Sequence, residues 1–334
     1  MNEPHLILGI GELLWDILPD GMRLGGAPAN FAVMAGRLGN HAAILSRISR
    51  DDLGRQAIDR LRPILDPMPV DTSFLQVDPL HETGRVAVSL EAGEPHYTIH
   101  EPAAWDFLEL PDEWVALAER ASVLCFGSLA QRHPQARQTI QTIVAEASDA
   151  CIRIFDVNLR KPFYSAEILE ESLGLATVVK MNDAETPLVL DLLDLSPGLS
   201  TDPSIDPSIE NAPLTGQTLS TSESLLTAAE RLLAAFPSLQ TVAITRGSRG
   251  SLLVTREAWD EHPGFPVKVA DPIGAGDAFT AAIAHSMLRG AGLATLNEAG
   301  NRWGAWMASH SGAMPALPNA VRVAITAAIE KTTS

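Results

Sequence analysis

Short apolar runs alternate with helical periodicity along most of the chain. The runs His5–Gly9, Ala42–Ile48, Val123–Gly127, Ile152–Asp156, Val178–Met181, Thr241–Thr245 and Ser251–Val254 are continuous or nearly so. Such runs predict strands covered on both faces. Between them, Phe31, Met34, Ala35 and Leu38 follow the i, i+3, i+4, i+7 rule, with Gly39 as a stop. Residues 134–148 open on a proline suited to a first helical position, and 275–288, 293–309 and 319–331 read as further helices. Alternation of this kind predicts an α/β fold with a mostly parallel, doubly wound sheet.

Two segments break the rhythm. Residues 84–100 alternate apolar and polar in period two around the turn signal AGEP. A half-exposed antiparallel hairpin is expected there, forming a small β-sheet lid from about 12–24 and 82–107. Residues 195–222 are rich in Ser, Thr, Pro and Asp, and predict a solvent-exposed surface insertion. The 334 residues otherwise read as one large α/β domain with that appendage.

Composition narrows the classes. Hydrophobic residues make up 46%, enough for a sizeable core. The formal net charge of −17 gives no general electrostatic reason to bind nucleic acid or an anionic membrane. The two cysteines, Cys125 and Cys151, sit in apolar runs, and a disulfide framework is excluded by their number. No signal peptide or membrane span is visible in the pattern, so a cytoplasmic protein is expected.

Candidate chemistry lies at glycine turns and at strand ends. Gly9-Ile-Gly11 begins like a dinucleotide fingerprint, but Leu14 stands at the third glycine position and no helix follows. A stronger segment runs from Asp271 through Gly274, Ala275, Gly276 and Asp277 into a helix of small residues. Unpartnered N–H groups at a helix start, with the helix dipole, suit a phosphate. Asp277 in the first turn is either a general base for an attacking hydroxyl or a simple N-terminal cap. A second glycine turn, Leu24 to Asn30, follows Asp16, and a carboxylate and an amide near it suit sugar hydroxyls. Asp156-Val-Asn-Leu-Arg160 and Lys180-Met-Asn182-Asp-Ala-Glu185 end two predicted strands. The Asn182/Glu185 spacing fits either a metal–phosphate site or a capping box.

Taken in order, GGAPANFAVMAGRLG, EPAAWD, DVNLR, KMNDAE, TRGSRG and DPIGAGDAFTAAIA resemble the PfkB-type, ribokinase-like carbohydrate kinases, most closely the bacterial fructokinase branch. The resemblance implies a three-layer α/β/α Rossmann-like domain with a β-sheet lid, and phosphoryl transfer from ATP, with Mg²⁺, to a sugar hydroxyl. It implies that Asp277 is the catalytic base and that Gly274, Ala275 and Gly276 form the anion hole. Asp16, Gly26, Asn30 and Arg160 then match sugar-side positions. Lys180, Asn182, Glu185, Thr245 and Gly247 match nucleotide-side positions, with Asn182 and Glu185 acting on Mg²⁺ indirectly. Asp271 matches a position associated with a monovalent cation such as K⁺, although Pro272-Ile273 replaces the commoner Thr-containing pair. Fructose is the expected acceptor, with 2-keto-3-deoxygluconate and ribose as alternatives. A keto-acid sugar would need an added cationic contact, for which Arg85, Arg132 and Arg160 are candidates. A non-catalytic sugar- or nucleotide-binding regulator is the reading from another class. A homodimer joined through the lid is expected, since the hairpin alternation leaves an apolar face to cover.

Overall fold

The computed structural model describes residues 5–18, 21–61, 70–91, 94–196, 221–312, 314 and 318–332. The insertion expected at 195–222 therefore falls almost wholly outside the described residues. In chain order the strands are β1 (Leu6–Ile10), β2 (Leu14–Leu18), β3 (Gly21–Gly25), β4 (His41–Leu45), β5 (Arg47–Ser49), β6 (Val70–Asp71), β7 (Gln76–Asp78) and β8 (Gly84–Glu91). They continue as β9 (Glu94–Ile99), β10 (Val123–Gly127), β11 (Ile152–Asp156), β12 (Val178–Asn182), β13 (Thr241–Thr245), β14 (Ser251–Val254) and β15 (Trp259–His262). The helices are α1 (Ala27–Arg37), α2 (Asp52–Leu61), α3 (Asp112–Arg120), α4 (Pro134–Glu146) and α5 (Ala166–Leu175). After them come α6 (Glu185–Leu192), α7 (Ser222–Ala235), α8 (Ala275–Met287), α9 (Leu293–Ala308) and α10 (Asn319–Thr332).

Nine strands form the main sheet, in the order β15-β14-β13-β12-β11-β10-β1-β4-β6. From β6 to β13 every pairing is parallel, and β14 and β15 are added antiparallel at one edge. Helices cover both faces, which is why the central strands are apolar throughout. One face packs α3 to α7 against Leu124, Phe126, Phe155 and Val179. The other packs α1, α8, α9 and α10 against Ile7, Val123, Cys125 and Ile154.

The lid is a separate four-stranded sheet, ordered β3-β2-β8-β9. The expected hairpin is β8 paired antiparallel with β9. The side chains of 88–97, on which the homodimer expectation bears, lie outside the described residues. The predicted strand Ala42–Ile48 is two strands. β4 stays in the main sheet, while β5 pairs with β7 in a two-stranded sheet of its own. The break falls at Ser46, whose hydroxyl donates to Gly11 O at 2.6 Å and turns the chain out of the ladder. After Gly11 the chain enters lid strand β2 rather than a helix, so the Gly9/Gly11 pair forms no dinucleotide fingerprint. No helix among the described residues is long and apolar enough to cross a membrane.

Candidate active site

The parallel strands end along one rim of the sheet. Glu12 leaves β1, Asp156 ends β11, Asn182 ends β12 and Thr245 ends β13. Successive strands are added on opposite sides of the starting pair, so the winding reverses between β1 and β10. Ligands of open α/β sheets bind beyond the strand ends at such a point.

Helix α8 begins at this rim. Gly274 is its N-cap, in the left-handed region with φ 78°, and no side chain caps the helix. Asp277 therefore does not cap its own helix. Its carboxylate accepts instead from Asn30 Nδ2 at 2.7 Å. Burial, reinforced by nearby Asp156, raises the Asp277 carboxyl to about 6, against the opposing pull of Lys180. Ala275 uses its own N–H on Pro272 O at 3.2 Å within the turn. Of the expected anion hole, Gly274 and Gly276 keep N–H groups without a partner among the described residues, and Asp277 adds a third.

Beneath Gly276 lies a buried ion pair. Lys180 Nζ is 3.0 and 3.1 Å from the two carboxylate oxygens of Asp156. The strands pair Asp156 with Lys180 directly, so both side chains stand on one face of the sheet. Thr280 of α8 adds its hydroxyl at 3.4 Å from Asp156 Oδ2. Burial alone would lower the Lys180 ammonium, but Asp156, Glu185 and Asp277 outweigh it and hold it above its ordinary value. A Cβ on Gly276 would sit 2.9 Å from Nζ, so glycine there lets the ammonium lie against the turn.

The second glycine turn faces α8 from the other end of the chain. Gly26 caps α1 with φ 109°, and a Cβ on it would meet Glu12 O at 2.2 Å. Ala27 N–H donates to Glu12 Oε1 at 3.1 Å. Asn30 lies within the first turns of α1 and is turned toward Asp277. Glu12 is 3% exposed and burial raises its carboxyl to about 7, with Asp277 adding to the shift. Asp16 is raised to about 6, again chiefly by burial, and Arg160 and Arg23 oppose the shift. Arg160 is exposed, donates to Leu159 O at 3.0 Å, and lies close enough to bias Glu12, Asp16 and Asp277.

Of the two alternatives for Asn182 and Glu185, the capping box is formed. Glu185 N donates to Asn182 Oδ1 and Asn182 N to Glu185 Oε2, both at 2.8 Å. Leu159 N adds a third bond, to Glu185 Oε1 at 2.8 Å. Both carboxylate oxygens thus accept backbone N–H groups, which suits contact with a metal through water and not direct ligation. Thr245 Oγ1 donates to Met181 O at 3.4 Å, and Gly247 opens a short 3₁₀ turn with open space above it.

The Asp271 carboxylate is held by three donors, one of them a guanidinium. It accepts from Arg23 Nη1, from Ile273 N at 3.0 Å and from Gly312 N at 3.2 Å. The guanidinium already sets a positive charge against this carboxylate, and a second cation there would be repelled by it, so these residues do not fit a monovalent cation.

Sequence reasoning gave no role to Glu12, Arg23 or Asp156. A signal existed for Asp156. It is an acid ending one buried strand run, in line with a lysine in the next, and such charges must pair. Arg23 had none, since its partner is 248 residues away.

Known proteins resemble this chain over nearly its whole length. The pfkB family carbohydrate kinase profile matches residues 20–201 and 205–320. A sugar kinase of Pyrococcus horikoshii, itself uncharacterised, is 30% identical over 305 residues, covering 86% of this chain and 84% of its own length. Its structure in complex with ATP has a TM-score of 0.71 at 27% identity, covering 92% of this chain and 94% of that one. The fructokinase of Klebsiella pneumoniae is 27% identical over 327 residues, 92% of this chain and 95% of its own. A Vibrio cholerae fructokinase double mutant, in a form with fructose, ADP and potassium ion bound, has a TM-score of 0.73 at 25% identity and covers 97% of this chain and 99% of that one. The protein belongs to the pfkB family of carbohydrate kinases, ATP-binding phosphotransferases that act on a sugar hydroxyl.

Proposed function

We propose that the protein phosphorylates fructose from ATP, with Asp277 as general base. The observation that carries the base is the Asn30–Asp277 hydrogen bond across the strand-end crevice, beside the helix N-terminus. Asp277 takes the proton of the acceptor hydroxyl as its oxygen attacks the γ-phosphorus. The bond to the β,γ-bridging oxygen breaks and ADP leaves. Charge gathering on the transferred group faces the N–H groups of Gly274, Gly276 and Asp277, with the Lys180 ammonium behind them. Mg²⁺, carried with ATP, supplies charge neutralisation on the phosphates. Asn182 and Glu185 would hold it through water. Thr245 and Gly247 border the nucleotide side, and Asp16, Gly26, Asn30 and Arg160 the sugar side. Lid strands β2 and β3 exclude water from the crevice, which would otherwise compete as acceptor.

Fructose is favoured over a keto-acid sugar by what two arginines are doing. Arg132 is held by both carboxylate oxygens of Asp106, at 2.8 and 2.7 Å, and stacks 4.0 Å over Trp105. Arg85 pairs with Glu82 at 3.0 Å. Of the three candidate carboxylate contacts only Arg160 makes no ion pair among the described residues, so recognition of a keto-acid sugar would rest on that one residue. ADP release from ATP and Mg²⁺ over fructose, ribose, 2-keto-3-deoxygluconate, glucose, tagatose and adenosine tests this. Fructose should give the highest kcat/KM. Preference for 2-keto-3-deoxygluconate, lost on Arg160→Ala, would overturn the fructose assignment and keep the base.

The pH dependence follows from burial. Asp277 must be ionised to act, and its carboxyl is raised to about 6. Activity is thus present above that pH and falls as pH drops through it. Glu12 at about 7 and Asp16 at about 6 titrate alongside, so the limb belongs to the group. The pH profile of kcat/KM should show an acid limb between about pH 6 and 7. A limb near pH 4, the range of a solvated carboxylate, would contradict it.

A further inference from the structure

Arg23 and Asp271 join the lid to the phosphate-facing turn. Arg23 sits on β3, directly across from Asp16 on β2. Its guanidinium reaches out of the lid to Asp271, whose side chain is only 8% exposed. Ile273 N and Gly312 N bond the same carboxylate, so the turn leading to Gly274 is tied at Asp271 from three directions. Arginine keeps its charge at every working pH and needs no ion from solution. A carboxylate at this place needs a positive neighbour, because the turn beyond it receives phosphate, and an uncompensated negative charge there opposes the anion. One relative, from Vibrio cholerae, is described with a potassium ion bound. In this chain the cation beside Asp271 is covalently part of the lid.

We propose that the Arg23 guanidinium stands in for a monovalent cation at Asp271, so that this kinase works without potassium and couples the seating of its lid to the geometry of the anion-binding turn. The proposal rests on the phosphotransfer role given above to that turn. Arg23 is a positioning residue. It acts through Asp271 and the backbone from Pro272 to Gly274, without touching the transferred group.

The test begins with the unaltered protein. Its kcat on the best sugar is measured with tetramethylammonium salts, and again as KCl replaces them at constant ionic strength. Its thermal midpoint is followed through the same exchange. Both should stay flat. Arg23→Met should lose about tenfold to a hundredfold in kcat, the scale of a misplaced reacting group. It should recover much of that loss, and gain in thermal midpoint, as KCl is added to saturation. Arg23→Lys, which keeps a charge but not the reach of the fork, should fall between. Saturable activation or stabilisation of the unaltered protein by KCl overturns the proposal, and so does Arg23→Met working at full rate without KCl. If no sugar is turned over, the function reading fails separately, and the thermal midpoints still decide on the cation. If Arg23→Met does not fold, the unaltered protein and Arg23→Lys decide it.

Discussion

Replacing Asp277 with Asn should lower kcat by about a hundredfold to ten-thousandfold, the contribution of a positioned general base. The fold should survive. Asn keeps the size of the side chain and can still accept from Asn30 Nδ2, as the carboxylate does at 2.7 Å. Stability should even rise at neutral pH. The folded carboxyl is raised to about 6 from an ordinary value of 3.8, so folding favours its protonated form. That preference adds to stability at low pH and is lost as pH climbs through about 6, leaving a buried ionised group above it. A permanently neutral Asn removes this cost. ADP release and a thermal melt on the same preparation check both halves. A mutant with near-normal turnover would remove Asp277 from the mechanism. A mutant that is both inactive and much less stable would make the residue structural.

Lys180→Met should give the largest loss of stability. Asp156 is 3% exposed, and Lys180 is its partner through both oxygens. Without the ammonium the carboxylate keeps, among the described residues, only the Thr280 hydroxyl at 3.4 Å. Breaking a buried pair from one side costs about 3–5 kcal/mol, while replacing both partners with neutral residues of similar size is often tolerated. Lys180→Met alone should therefore lower the thermal midpoint by about 10 °C. The double variant with Asp156→Asn should recover much of that loss. Equal losses in the single and double variants would mean that the pair is not coupled. Turnover should fall in both, because the ammonium rests against Gly276.

The parts of the fold legible in the sequence are those set by local pattern. Central strands buried on both faces must be apolar throughout, and β10, β11 and β13 fall where the runs fall. The lid hairpin stood out for the opposite reason, its period of two. The break at Ser46 was not legible, because Ile48 prolongs the apolar run, and the bond that marks the end of the ladder goes to Gly11 O, just past β1 and 35 residues away in the chain. For the candidate site, the glycine turns and strand-end charges mark the neighbourhood but not who meets whom. Asp277 as cap and Asp277 as base look alike in sequence. The left-handed Gly274 separates them by taking the cap position itself. Asn182 and Glu185 looked like a metal–phosphate pair or a capping box, and backbone geometry forms the box. Arg23 could not be found, since nothing near it in the chain records its partner.

The crevice is stitched from the two ends of the chain, Asn30 to Asp277 and Arg23 to Asp271. The apolar layer beneath it is built likewise, with Ile7, Phe31 and Val123 packed against Ala281, Trp303 and Ile325. During translation at about 5–20 residues per second, roughly 15–50 s pass from the first residue before α8 can emerge, and until then α1 alone shields the face of the strands that α8 will cover. A nascent or truncated chain ending before residue 275 thus presents a greasy sheet face and half a crevice. Such a chain is a natural client for a chaperone, and an early stop codon yields a sticky fragment rather than a weak enzyme.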